Sequence, residues 1–311
     1  MGAQPYELLA LDAAVASQRT DADVAFISRE VTGASTKHEI HPALQQVYDL
    51  LSQSAGLQWV HIHSAGADRQ IYLDLRARGV QIATSSGANA QVVATTALAG
   101  LLALARRFPM LWAEQQAQQW RPMLGERTPR DLPGQTATIV GWGPIGQQLA
   151  SLLQALGLKV VAVRQQAGPQ TLLRADAVEQ VTFEGFHQVL HRTDWLILAC
   201  PLTDKTRQLV NTPALAALPR GAHVINVARG EVVDQSALVA ALQSGHLGGA
   251  FLDVFQHEPL QQGSPLWAMP QVMVTPHAAG HSDGNQKRVS QMFLDNLRRF
   301  ASGQALHHVV R

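Results

Sequence analysis

Three residues in the second half of the chain could together manage a carboxylate and a proton: Arg229, Glu258 and His277. Arginine offers a permanent, planar charge that can hold a carboxylate by two hydrogen bonds and polarise an adjoining carbonyl. An imidazole exchanges protons near neutral pH, and a carboxylate beside it would orient the ring and favour its charged form. Reducing a carbonyl next to an acid group needs those two services, a cation for the acid and a proton donor for the nascent alkoxide. Each residue alone has an ordinary alternative: a surface charge, a turn residue before Pro259, or one of 13 histidines. Their joint placement carries the weight, since each follows a candidate strand, where open α/β sheets place ligands. His61, His63, His281, His307 and His308 have no comparable arrangement and are read as structural or solvated.

A second constellation precedes the first. An apolar run at 136–140 enters Gly141-Trp142-Gly143-Pro144-Ile145-Gly146, and a helical pattern runs from 145 to 156 before Gly157 ends it. Gly141 permits a tight turn, Gly143 lets a pyrophosphate approach the backbone, and Gly146 lets helix pack on strand. The free N–H groups at the helix start face the anion. By itself the glycine spacing is weak; with strand, loop, helix and next strand in order it predicts a dinucleotide site. The residue ending that next strand meets the adenosine ribose, and here it is Arg164 followed by Gln165 and Gln166. An acidic residue there would bind a free 2′-hydroxyl, whereas arginine suits a 2′-phosphate, so NADP(H) is expected to be preferred and NAD(H) remains possible.

The elements that must position these groups follow from the hydrophobic pattern. Strands are predicted at 136–140, 159–163, 195–199, 223–227, 249–253 and 272–275, with a weaker one at 178–182, alternating with helices as in a doubly wound parallel sheet. Residues before 132 have a different texture, Ala- and Gln-rich helical stretches around two short apolar runs at 23–27 and 59–62, which predicts a second, smaller α/β unit. The turn at Leu132-Pro133-Gly134 punctuates the join between helix and sheet.

Composition narrows the function classes. The 311 residues, 46% hydrophobic, suffice for two domains with their own cores. Lys plus Arg number 24 against 23 Asp plus Glu, a formal charge of +1 with no basic run, so no nucleic-acid partner is expected. One cysteine, Cys200, allows neither an internal disulfide nor a cysteine metal cluster; a reducing, cytoplasmic setting is expected and no metal site is predicted. The opening residues lack the charge and apolar core of a signal peptide. The most apolar stretch, 92–104, is interrupted by Thr95 and Thr96 and falls short of the roughly 18 to 20 residues a membrane span needs, so it reads as a buried helix.

Longer motifs then become specific: Asn226-Val227-Ala228-Arg229-Gly230-Glu231-Val232-Val233-Asp234, Leu252-Asp253-Val254-Phe255 with Glu258-Pro259-Leu260, Ser264-Pro265-Leu266-Trp267, Thr275-Pro276-His277 with Gly280, and the Pro201-Leu202-Thr203 turn. In these the chain resembles the D-isomer-specific 2-hydroxyacid dehydrogenase family over roughly 66–282. The resemblance implies a two-domain α/β fold, with a Rossmann-type cofactor domain at 94–278 inserted into a flavodoxin-like substrate domain of 1–93 plus 279–311 and the active site in the cleft. It implies hydride transfer between nicotinamide and C2 of a small 2-oxo or 2-hydroxy acid, with Arg229 as anchor, His277 as proton donor and Glu258 as its partner. It adds Cys200, Pro201, Thr206, Val227, Ala228, Arg229, Asp253, His277 and Gly280 to the cofactor site, with Asp253 beside the nicotinamide. It makes His63-Ser64-Ala65-Gly66-Ala67-Asp68 the loop whose backbone at Ala65 and Gly66 receives the substrate carboxylate. A homodimer through the cofactor domains is implied, with a helical arm at 112–120.

The chain departs from the family in two places. Too few residues precede Asp23 to hold the usual opening strand and helix, so that first element is expected to be missing. Many relatives carry an acidic residue where Thr95 stands, and no role is attached to the change. Within the family, an arginine at 164 and a compact chain favour glyoxylate or hydroxypyruvate reduction. No regulatory domain is expected after Arg311, an expectation that speaks against the longer phosphoglycerate dehydrogenases, and Glu rather than Gln at 258 speaks against the formate-oxidising branch. The alternative from another class is a non-catalytic, nucleotide-sensing binding protein on the same fold.

Overall fold

A computed structural model describes residues 7–166, 171–173 and 176–310. The opening residues 1–6, where no leader was read, and Arg311, after which no further domain was read, lie outside the described residues. The elements run α1 (Leu11–Ala16), β1 (Val24–Ile27), α2 (Arg29–Thr32), α3 (Pro42–Gln53), β2 (Trp59–Ile62), α4 (Gln70–Ala77), β3 (Gln81–Thr84), α5 (Ala90–Ala105) and α6 (Phe108–Gln116). They continue as β4 (Thr136–Val140), α7 (Pro144–Ala155), β5 (Lys159–Arg164), β6 (Thr171–Leu173), β7 (Asp176–Thr182), α8 (Phe186–Leu190), β8 (Trp195–Leu198) and α9 (Thr212–Ala216). The last are β9 (His223–Asn226), α10 (Gln235–Gln243), β10 (Gly249–Leu252), β11 (Val272–Val274) and α11 (Asn285–Ala301). They form two compact units, Met1–Asn89 with Ser282–Arg311, and Ala90–His281.

The first unit is built on a parallel sheet of order β1-β2-β3. All four residues of β2 are buried, so both faces of its pleat are covered. Val60 and Ile62 join Leu44 and Leu51 of α3 and Tyr72 and Leu75 of α4. On the opposite face Trp59 stacks on Phe293 of α11 with centroids 5.5 Å apart, and Phe26 stacks on the same ring at 4.6 Å. His61 lies in this layer with Nε2 3.0 Å from Ser85 Oγ, and burial pushes its pKa down to about 4. Strand β3 has no counterpart in the sequence prediction: Gln-Ile-Ala-Thr is too short and too weakly apolar to signal itself, and its register is supplied by β2, Val60 pairing with Ile82.

The second unit is an eight-stranded sheet of order β11-β10-β9-β8-β4-β5-β7-β6, parallel except for β6 against β7. Residues such as Leu101 of α5 and Leu149 and Leu153 of α7 are buried on one face, and Phe186, Leu215, Leu238 and Leu242 of α8 to α10 on the other. Full burial of each such side chain contributes about 1.5–3 kcal/mol. Helix α5, expected at 92–104, packs so closely on β10 that a Cβ at Gly100 would sit 2.4 Å from the Phe251 ring. The chain passes from β4 outward to β5 and β7, then returns to place β8 on the other side of β4. The order therefore reverses between β4 and β8, the point where doubly wound sheets bind their ligands.

Four predicted strands, 195–199, 223–227, 249–253 and 272–275, end one residue earlier in the structure, yet each lost residue keeps a ladder bond: Ala199 N–H to Val140, Val227 to Leu198, Asp253 to Asn226 and Thr275 to Leu252, at 2.9–3.2 Å.

Candidate active site

Arg229, Glu258 and His277 all lie on loops after the carboxyl ends of neighbouring strands β9, β10 and β11. Asn226 shapes the first loop: its side chain accepts from the Ala228 N–H at 3.0 Å and donates to the Arg229 carbonyl at 3.1 Å. The half-buried Arg229 donates to the Ala228 carbonyl at 2.7 Å. Next to it Gly230 lets two loops touch, because a Cβ there would lie 1.8 Å from the Phe255 carbonyl carbon. That approach brings the loop of Arg229 against the loop that carries Glu258.

Glu258 spends both oxygens. Oε2 lies 2.8 Å from His277 Nδ1, and Oε1 accepts the Phe255 N–H at 3.1 Å. The carboxylate is 13% exposed while the imidazole is 50% exposed, so the acid sits behind a ring that faces outward. Burial would raise the Glu258 pKa, but the hydrogen bond and charge of His277, the Phe255 N–H and the Arg229 charge outweigh it and hold it below the ordinary value. This is a carboxylate kept ionised behind an imidazole.

His277 has φ of 52°, the left-handed region that a bulky residue rarely occupies. Asp253, buried to 2% exposure, holds the loop in that shape. Its Oδ1 accepts from Thr275 Oγ1 at 2.6 Å and from the Ala278 N–H at 2.7 Å, and Oδ2 accepts from Ala279 N–H at 3.0 Å. The His277 N–H bonds to the Asp253 carbonyl at 2.8 Å. From the other side, Thr96 of α5 donates to the Ala279 carbonyl at 3.0 Å. Sequence reasoning gave Asp253 a place beside the cofactor; the geometry shows it as the anchor of the imidazole loop.

The positions expected to bind the cofactor lie at strand ends of this sheet, the glycine loop among them at the switch point. Gly141 has φ of 108°, and a Cβ on it would lie 2.7 Å from the Ala199 carbonyl and 2.8 Å from Cys200 Cα, so the ends of β4 and β8 can meet only through glycine. A Cβ on Gly146 would lie 2.1 Å from the Gly141 carbonyl, which fixes the start of α7 against the loop. At Gly143 a Cβ would meet nothing within 4 Å, so the bare backbone is open to a ligand, and no side chain caps α7. Pro144 is its first residue and Ile145 follows, leaving their turn's N–H groups for an anion. This cradle fits a dinucleotide pyrophosphate. Cys200 is buried, its thiol pushed up to about 12, and Thr206 shapes the turn after it by donating to the Pro201 carbonyl at 2.7 Å and accepting the Thr203 N–H at 2.8 Å. Val227 and Ala228 are buried on the way to Arg229, and Gly280 ends the His277 loop. Arg164 closes β5 with Nη1 3.0 Å from Gln180 Oε1, and Gln165 follows, exposed.

The structure thus places every cofactor and catalytic position named from the sequence in the second unit, while Ala65 and Gly66 belong to the loop after β2 in the first. Asn226 and Thr96 hold the loops of Arg229 and His277, contacts that sequence reasoning missed. Asn226 opened a quoted motif, and the polar break that Thr96 makes in an apolar helix was its only signal. Among the described residues no group of His, Cys, Asp or Glu is arranged to hold a metal. No single helix there is long and apolar enough to cross a membrane.

The profile described as D-isomer specific 2-hydroxyacid dehydrogenase, NAD binding domain, matches residues 98–279. The chain is 33% identical over 258 residues to the (S)-sulfolactate dehydrogenase of Chromohalobacter salexigens, covering 81% of this chain and 80% of that one. Among solved structures it resembles a D-isomer specific 2-hydroxyacid dehydrogenase from Xanthobacter autotrophicus Py2 in complex with NADPH and MES, with TM-score 0.72, 33% identity, and 84% and 80% of the two chains covered. It also resembles the NADPH-dependent glyoxylate/hydroxypyruvate reductase of Sinorhizobium meliloti, solved with NADP and sulfate, with TM-score 0.74, 29% identity, and 93% and 86% covered. With its long motifs, its two-unit α/β fold and a profile match across most of the second unit, the chain belongs to the D-isomer specific 2-hydroxyacid dehydrogenase family, as an oxidoreductase that uses a nicotinamide cofactor on a small hydroxy or oxo acid.

Proposed function

We propose that this chain is an NADPH-preferring reductase of a small 2-oxo acid, glyoxylate or hydroxypyruvate. The observation that carries the reading is the 2.8 Å hydrogen bond between His277 and an ionised Glu258, on a loop packed against that of Arg229. Bound NADPH supplies the hydride. Arg229 holds the substrate carboxylate and polarises the neighbouring oxo group; in the first unit, Ala65 and Gly66 are proposed as substrate-binding positions on the family resemblance alone. Because Nδ1 faces Glu258, His277 gives its proton from Nε2 to the oxygen that becomes the hydroxyl. Arg164 receives the 2′-phosphate, which a carboxylate at that strand end would repel. Two relatives solved with NADP or NADPH support that preference.

The protein is further proposed to work as a cytoplasmic homodimer. Around α6, Trp112 and Trp120 are 64% and 95% exposed, with Phe108 and Leu124 also outward, an apolar surface that a second copy would cover.

Steady-state assays with glyoxylate, hydroxypyruvate, pyruvate and phenylpyruvate, each with NADPH and NADH, test the reading. The expected result is the highest kcat/KM for glyoxylate or hydroxypyruvate with NADPH. Preference for the larger acids or for NADH overturns the corresponding half, and cofactor binding without turnover across the panel would point to a nucleotide-sensing protein.

A further inference from the structure

We propose that Gln180 is a positioning residue for cofactor choice, holding the Arg164 guanidinium at the ribose-facing strand end with a neutral acceptor that leaves its charge for a 2′-phosphate. The inference rests on the reading of Arg164 given above and adds the residue through which that arginine acts.

Strands β5 and β7 are parallel neighbours, with Ala162 opposite Gln180 and Arg164 opposite Thr182. Side chains alternate along a strand, so Gln180 lies on the same face of the sheet as Arg164, one diagonal step away. Gln180 Oε1 accepts from Arg164 Nη1 at 3.0 Å, and both residues are half-buried. An unheld arginine at a strand end would spread over many rotamers. One bond from a partly buried amide restricts it while leaving the other guanidinium donors available.

The neutrality of the acceptor matters as much as its position. A carboxylate here would take the same donors in a charge-assisted pair and cancel the charge that a 2′-phosphate needs. Glu179, the neighbouring acid, alternates to the other face and pairs with Arg192 at 2.5 Å. Along the chain the first acidic residue after Arg164 is Asp176. The corner combines a fixed cation, an uncharged holder and an acid turned away, an arrangement that selects an extra phosphate on the ribose.

Equilibrium titration of the full-length protein with NADPH and with NADH, followed by fluorescence, tests this in wild type, Arg164→Ala, Gln180→Glu and Gln180→Leu. Gln180→Glu is expected to weaken NADPH by at least about tenfold, the equivalent of about 1.4 kcal/mol, and NADH by less than about threefold. Its NADPH affinity should also respond less steeply to salt than that of wild type, because the guanidinium charge is already compensated. Gln180→Leu keeps the charge but loses the holder, so a smaller, NADPH-selective loss is expected. Gln180→Leu added to Arg164→Ala should cost nothing further, since the holder acts through the arginine. If Arg164→Ala leaves the ratio of NADPH to NADH affinity unchanged, the reading of Arg164 falls and this inference with it. If Arg164→Ala removes the preference while both Gln180 variants keep the wild-type ratio, Arg164 stands and Gln180 is overturned alone. An equal loss of both cofactors in the Gln180 variants means a merely structural residue and overturns it too. Should Gln180→Glu fail to fold, seen as lost NADH binding and a lowered Tm, the neutral Gln180→Leu decides by the same ratio.

Discussion

The loop of His277 and the corner of Arg164 are both strand-end sites of one sheet, yet they are held very differently. Around His277, main chain and side chain are fixed together by Asp253, Thr275, Thr96 and Glu258, enough to keep a histidine at positive φ. Arg164 is steadied by an amide on the next strand. The contrast follows from distance dependence. Proton transfer requires donor and acceptor within hydrogen-bond reach, and a misplacement of about 1 Å can cost roughly 10²-fold. A charge facing a phosphate acts over several ångströms and tolerates a looser mount. On the roles proposed above, the firmer mount belongs to the group whose chemistry is short-ranged.

The severest way to break the comparison is Gly230→Ala. The added methyl would lie 1.8 Å from the Phe255 carbonyl carbon, so the loops of Arg229 and Glu258 must part. We expect kcat/KM to fall by at least about 10²-fold, with a lowered Tm; activity within about threefold of wild type would show that the two loops move apart without harm. Arg229→Lys comes next, since it keeps the charge and loses the fork. A fall in kcat/KM of at least about tenfold, or about 1.4 kcal/mol, is expected, with NADPH affinity nearly unchanged; a loss confined to cofactor binding would move Arg229 out of the substrate site.

Glu258→Gln probes the acid behind the imidazole. The carboxamide still meets the ring but no longer sets a charge behind it, so kcat/KM for 2-oxo acid reduction should fall by about tenfold with NADPH affinity nearly unchanged. Activity within about threefold of wild type would mean that Glu258 is not the partner of the proton donor. The same substitution has a stability signature whose sign follows from the depressed Glu258 pKa. A carboxylate of lowered pKa stabilises the fold above its ordinary value of 4.5 and loses that contribution as pH falls through the depressed one, so the Tm gap between wild type and variant should close in acid. Thr96→Val is the mildest test. It removes one donor to the Ala279 carbonyl, and a net cost of about 0.5–1.5 kcal/mol should appear in kcat/KM while the NADPH dissociation constant stays the same. An effect on cofactor binding instead would show that the two sites are not separately mounted.

Most of what the sequence made legible was backbone-determined. The glycine loop after β4, the apolar strand runs and the order of Arg229, Glu258 and His277 after successive strands could be read because each depends on residue type at a fixed spacing. Helix α7 begins at Pro144 rather than at the expected 145, since proline at the first helical position loses no hydrogen bond. What escaped was relational. Gln180 is an uncharged residue on a strand predicted only weakly, and its meaning appears once β7 lies beside β5. Thr96 looked like a blemish in an apolar helix until its hydroxyl met a carbonyl 183 residues away. Asp253 was legible as important, but its clasp on residues 275–279 depends on β10 and β11 pairing side by side.

The aromatic layer of the first unit bears on how the protein is made. Trp59 and Phe26 of the early strands are covered by Phe293, which the ribosome adds only after the whole of Ala90–His281 has been synthesised. The last residues close the same unit again, with Val309 bridging antiparallel to Ala83. The second unit is one continuous stretch and can complete its core as soon as it emerges, whereas the first must wait with one face of its sheet bare until α11 has been made. A polypeptide interrupted before residue 285 would carry a finished cofactor-binding sheet beside an uncovered layer of Trp59, His61 and Phe26, the kind of surface that chaperones hold and proteases find.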